Sequence, residues 1–107
     1  MNGSLHIVRP DRPISRIDTT DPQNILELIK PALNGGYVEA VPSFYVYEGQ
    51  QCVAFCDEDG KNKKLPFNAQ ATLLWARALD RQPSEIGDYL VGTVIIVTGD
   101  AEFMEGL

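Results

Sequence analysis

Gln51-Cys52-Val53-Ala54-Phe55-Cys56 runs into Asp57-Glu58-Asp59-Gly60-Lys61 and, after three polar residues, into Leu65-Pro66-Phe67-Asn68-Ala69. The reading of this stretch decides the fold. A short apolar run bounded by turn residues predicts a strand, and its hydrophobicity places it centrally in a sheet. Asp59-Gly60 supplies the turn, Pro66 stiffens the connector, and Asn68 can cap a helix over roughly Ala69 to Leu79. Leu73, Leu74, Ala76 and Ala78, with Trp75, make that helix modestly amphipathic. Arg77 and Arg81 mark its polar side and its C-terminal end.

Working outward, Leu5 to Arg9 predicts a first strand ended by Pro10, and Ile14 to Asp18 a short return strand after the Asp11-Arg12-Pro13 turn. Thr20 or Asp21 caps a helix that has Pro22 in its first turn, where no N–H is needed. Ile25, Leu26, Leu28, Ile29 and Leu33 recur at three- and four-residue steps as its apolar stripe. Pro31 disturbs or ends the last turn, and Asn34-Gly35-Gly36 stops the chain. Tyr37 to Val41 predicts a strand cut by Pro42. Between Ser43 and Gln50, Phe44-Tyr45-Val46-Tyr47 is either an extra strand turning at Glu48-Gly49 or an aromatic-bearing loop, with at least one aromatic at the surface. Tyr89 to Val97 predicts a long buried strand in which Gly92 marks a bulge or a close contact.

The expected fold is therefore α+β: a small, mostly antiparallel sheet of about five strands with two helices, in the order β-β-α-β-β-α-β. Helices would cover one sheet face, leaving the other solvated or an interface. Residues 1–107 form a single domain in this reading, with 100–107 a short C-terminal tail able to make one amphipathic turn.

The chain has 107 residues and a net charge of −6. That charge argues against direct nucleic-acid binding, which needs clustered Lys and Arg, and suits a binder of basic surfaces. No apolar run approaches the roughly 20 residues that span a bilayer, and the N-terminus lacks the basic and apolar regions of a signal peptide. A cytoplasmic location, in a bacterial host cell, is the expectation. Cys52 and Cys56, four apart in one strand, would lie about 13 Å apart, beyond the ~7 Å reach of a disulfide. Both should be reduced thiols on one face.

The chemistry-bearing residues fail the usual tests. Asp57-Glu58-Asp59-Gly60 does not follow a calcium loop: its glycine falls fourth rather than sixth, Lys61, Lys63 and Lys64 come after it, and Asn68 stands where the twelfth-position glutamate belongs. His6 is the sole histidine, too few with two cysteines for zinc, and nothing in the chain order brings it to Cys56 as a base. No phosphate-binding glycine loop occurs. No catalytic residue, metal or cofactor is expected. The residues open to a partner or ligand are Tyr45, Tyr47, Asp57, Glu58, Asp59, Lys61, Lys63 and Lys64. In a ligand reading the lysines hold phosphate and Tyr45 or Tyr47 stacks on a base.

Taken in order, Ile17-Asp18, Gly35-Gly36-Tyr37-Val38-Glu39, Glu58-Asp59-Gly60-Lys61, Leu65-Pro66-Phe67-Asn68 and Gly92-Thr93-Val94-Ile95-Ile96-Val97 carry a resemblance. From about Leu5 to Gly99 the chain resembles a family of small uncharacterised domains encoded by bacteriophages, plasmids and other mobile elements. It differs in having Ala69 where many members have Arg, and Asp57 where Asn is frequent. The resemblance implies a small accessory protein of a phage or mobile element and carries over no catalytic residue. Three expectations follow: first, a non-catalytic protein that binds a host protein and inhibits a host defence system; second, a binder that sequesters a signalling nucleotide; third, a small enzyme using Cys56 or the acids at 57–59. A homodimer through an exposed sheet face or the last strand's edge is also open.

Overall fold

A computed structural model describes residues 2–33 and 37–107. The expected stop at Asn34-Gly35-Gly36 lies outside the described residues. In chain order the elements are β1 (Gly3–Val8), β2 (Ser15–Thr19), α1 (Ile25–Ala32), β3 (Val38–Ala40), β4 (Val46–Tyr47), β5 (Gln50–Asp57), α2 (Ala69–Ala78), β6 (Val94–Gly99) and α3 (Ala101–Glu105). The sheet runs β2-β1-β6-β5-β3, with β4 also on β5, and every pairing is antiparallel. The α+β class is as expected.

β3 and β4 share one edge of β5. Val41 N–H donates to Ala54 O and Cys52 N–H to Tyr45 O, and these two β5 residues, two apart, point the same way. The extra-strand alternative for Phe44–Tyr47 therefore holds. Glu48 and Gly49 turn the β4–β5 hairpin at φ 51° and 76°, the two positive values of a type I′ turn, whose twist matches the strands it joins.

β6 lies between β1 and β5, so it has no free edge, contrary to the dimer contact considered from sequence. Nor is either sheet face bare at the centre. Val94 and Ile96 point to one face, packing with Val8, Phe44, Tyr47, Ala54, Ala71 and Trp75; Ile95 and Val97 point to the other, packing with Leu5, Ile25, Ile29, Leu33 and Phe103. A strand buried on both faces reads as an unbroken apolar run, which is what residues 94–97 are. α2 covers the first face; α1 and α3 cover the second.

Several boundaries move. The last strand begins at Val94 rather than Tyr89, because Gly92 takes φ 66° and breaks the extension. Gly92 is a close-contact point, since a Cβ there would stand 2.7 Å from Leu65 Cδ1. Pro22–Asn24 is a separate 3-10 turn, capped by Asp21, whose side chain accepts from Gln23 N–H. Leu26 belongs to the predicted stripe but is exposed. The C-terminal segment forms the expected amphipathic turn as α3, which buries Phe103. Cys52 and Cys56 are both free thiols.

Candidate functional site

On the α2 face the sheet changes character towards one end. Antiparallel register lines up Asp18, Ser4, Thr98 and Cys52 in one row, and Arg16, His6, Ile96 and Ala54 in the next. Two central strands thus carry Ser4, His6 and Thr98 on a face that is apolar farther along, at Val8 and Val94. Polar groups on such a face are costly unless paired, and these are paired. Ser4 Oγ donates to Asp18 Oδ1 at 2.7 Å, and His6 Nε2 lies 2.9 Å from Thr98 Oγ1, with the donor set by the imidazole tautomer. Arg16 Nε donates to the same Asp18 oxygen at 2.8 Å.

This polar floor opens into a cleft of about 1040 Å³, walled by β2 and by Tyr47, Glu48, Gln50 and Gln51 of the β4–β5 hairpin. The Tyr47 ring tilts against His6, centroids 4.8 Å apart, and divides the cleft from the apolar core. Its pKa is raised, first by burial and then by Glu48. The Asp18 carboxyl is held below its ordinary value by the Ser4 hydroxyl and then by Arg16.

His6 titrates below an ordinary histidine, first because burial disfavours the imidazolium and then because Arg16 repels it, with Glu48 and Asp18 partly opposing. The sign follows from linkage. With the folded value below the unfolded one, the unfolded chain binds more protons in that window. Stability is therefore full above the unfolded pKa, near 6.5, and is lost as pH falls through the folded value. In urea titrations at stepped pH, the wild type should lose stability from pH ~7 downward, and His6→Gln should flatten the upper part of that slope. An unchanged slope would rule out this role for His6.

The residues singled out from sequence fall elsewhere, apart from Tyr47. Asp57 is buried: its Oδ2 accepts from Lys63 Nζ at 2.7 Å and its Oδ1 from Asp59 N–H at 2.9 Å. The Lys63 bond is the main reason its pKa lies low. Lys61 bonds the Asp88 carboxylate and sits 4.3 Å from the Tyr89 ring centroid, and Tyr89 in turn meets Phe67 edge-on at 6.0 Å. Glu58 and Lys61 line a second hollow of about 300 Å³ with Cys56 and Trp75. Asp59 accepts from the Asn62 amide, and its backbone carbonyl holds Lys63 N–H. Lys64, at φ 57°, is exposed, and Tyr45 is 65% exposed.

The acidic turn thus ties Asp57 to Lys63, while Lys61 is held by Asp88 outside the turn. From this turn β5 runs roughly 23 Å to the level of Tyr47 and roughly 17 Å to that of Tyr45, more than a mononucleotide spans, so the structure does not bring the phosphate-holding lysines and the stacking tyrosines together. His6 and Cys56 line different hollows. Burial pushes both thiols up to about 11, leaving them protonated at neutral pH.

The cleft residues Ser4, His6, Arg16, Asp18 and Thr98 were missed from sequence. The available signal was a small one: polar residues on one face of an otherwise apolar strand, at Ser4 and His6, matched by Thr98 after Val94 and Ile96. Among the described residues no group of three or more His, Cys, Asp or Glu is placed to hold a metal ion, and no helix is long and apolar enough to cross a membrane.

Neither a curated protein nor a solved structure matches the chain. A family match covers residues 2–105, nearly the whole sequence, and the chain belongs to that family, described as Domain of unknown function (DUF3846).

Proposed function

We propose that this is a non-catalytic accessory protein of a phage or mobile element, which binds a host protein through the polar cleft and so inhibits a host defence system. The observation that carries the binding role is the polar floor of Ser4, His6 and Thr98, set into a face that is elsewhere apolar core. Charge narrows the partner. Asp18 offsets Arg16, Glu48 adds a carboxylate at the rim, and the chain as a whole carries −6. A basic segment of a partner protein suits this surface, and a phosphodiester backbone does not. The phage or mobile-element setting rests on the ordered motifs from Ile17 to Val97, and the defence target on that setting.

Glu48→Asn separates binding from folding. Asn is better suited than Glu to the first position of a type I′ turn, so the fold should be retained or stabilised by up to about 1 kcal/mol. The same change removes the rim carboxylate. Immobilised wild-type protein should capture a stoichiometric host protein from bacterial lysate, and the Asn variant should capture clearly less of it. Equal capture by both, or none by the wild type, would count against the cleft. In the nucleotide-binding alternative, a nucleotide panel should raise the melting temperature; an unmoved transition would remove that reading.

A further inference from the structure

Among the described residues, β2 is the outer strand of the sheet and pairs only with β1. It spans Ser15–Thr19, so its middle residue is Ile17, flanked by Arg16 and Asp18. We propose that two copies of this chain pair through β2 as antiparallel strands about a two-fold axis at Ile17, extending one sheet through both.

The pattern is self-complementary. In that register Arg16 stands opposite Asp18 of the second copy, Asp18 opposite Arg16, Ser15 opposite Thr19, and Ile17 opposite itself. Cross-strand pairs of opposite charge are favourable and like pairs are not. A two-fold antiparallel pairing must centre on a residue, and moving the centre to either neighbour sets Arg16 against Arg16 or Asp18 against Asp18. Edge charges usually discourage strand addition; opposite charges two apart discourage the neighbouring registers and favour this one. Ile17 supports it from the other face. Its side chain lies on the same face as Leu5, its register partner, yet is 42% exposed. The second copy's Ile17 would cover it.

The net charge of −6 on each copy opposes association at long range. Salt near 0.15 M confines that repulsion to about 8 Å, while contact pairs survive better. The two-fold lies perpendicular to the sheet, so both polar clefts open on the same side. Arg16 and Asp18 line each cleft, and pairing would join the two across β2 into one trough. The dimer stands whatever the cleft binds, and is tested without a ligand.

Sedimentation velocity over a micromolar concentration series, at moderate salt, is the direct test. The wild type should be a dimer that dissociates on dilution. Arg16→Asp and Asp18→Arg should each weaken it at least about tenfold, because each makes both symmetric charge pairs repulsive. The double variant R16D/D18R should recover the dimer. A monomer throughout, a dimer indifferent to the single swaps, or a double variant as weak as the singles would overturn the proposal. Should a swap fail to fold, amide exchange of the wild type decides: β2 amides slow with rising concentration if the strand pairs, and concentration-independent rates overturn it.

Discussion

Replacing Asn68 with Ala is expected to lower the unfolding free energy by about 4 kcal/mol. Asn68 is fully buried where three elements meet. Its amide nitrogen donates both protons, to Val8 O at the end of β1 and to Gly92 O just before β6, each at 2.8 Å. Its amide oxygen accepts from Ala71 N–H at 3.0 Å, capping α2. Its own backbone carbonyl accepts from the Thr72 hydroxyl, whose oxygen accepts from Leu90 N–H in turn. Truncation leaves two buried carbonyls without this donor and a helix terminus without its cap. Each orphaned group costs about 1–3 kcal/mol and the lost cap about 1. Against a typical total of 5–15 kcal/mol, the variant should melt roughly 15–30 °C lower. Asn68→Ser, which can cap but cannot bridge, should recover only the cap's share. A Ser variant as stable as wild type would refute the bridging role.

Phe103→Ala should cost a similar amount, about 3–5 kcal/mol. The ring is fully buried against Leu5, Ile25, Ile29, Ile95 and Val97. Its helix is held by Asp100, which accepts from Phe103 N–H at 2.9 Å. The seat is made by a register pair of glycines, Gly3 and Gly99. A Cβ on Gly3 would stand 2.3 Å from the ring, and one on Gly99 2.5 Å. This predicts a coupling as well as a loss. Gly3→Ala alone overpacks the site by roughly 1–3 kcal/mol, yet in the Phe103→Ala background the added methyl enters vacated space and should cost almost nothing. A double-mutant cycle in urea reads the difference directly. Strict additivity would show that the ring does not rest on the glycines.

Local chemistry made much of this fold legible. Asp21 and Asn68 cap where capping preference puts them, Asp59-Gly60 turns, Cys52 to Cys56 extends, and the β6 run is buried. Each depends on neighbours within a few residues. The Tyr89–Gly92 segment misled because its apolar residues continue the β6 pattern, whereas the chain bends at Gly92 to admit Leu65, a residue remote in sequence. For residues 100–107 the amphipathic turn was legible but its seat was not, because one buried Phe among acids carries little periodicity. What seats it is a glycine pair nearly the whole chain apart.

The candidate site was less legible for the same reason. Ser4, His6, Arg16, Asp18 and Thr98 become neighbours only when β1 lies between β2 and β6, and Tyr47 joins them only through the β4–β5 hairpin. The acidic turn, conspicuous in the sequence, pairs Asp57 with its own Lys63 and yields Lys61 to Asp88. By itself the sequence determined the element types, the α+β class and the connector from β5 to α2, since capping, turn chemistry and hydrophobic periodicity are local. Only the tertiary structure decided the strand order, the two-sided core and the polar cleft, because antiparallel register sets which distant residues share a face.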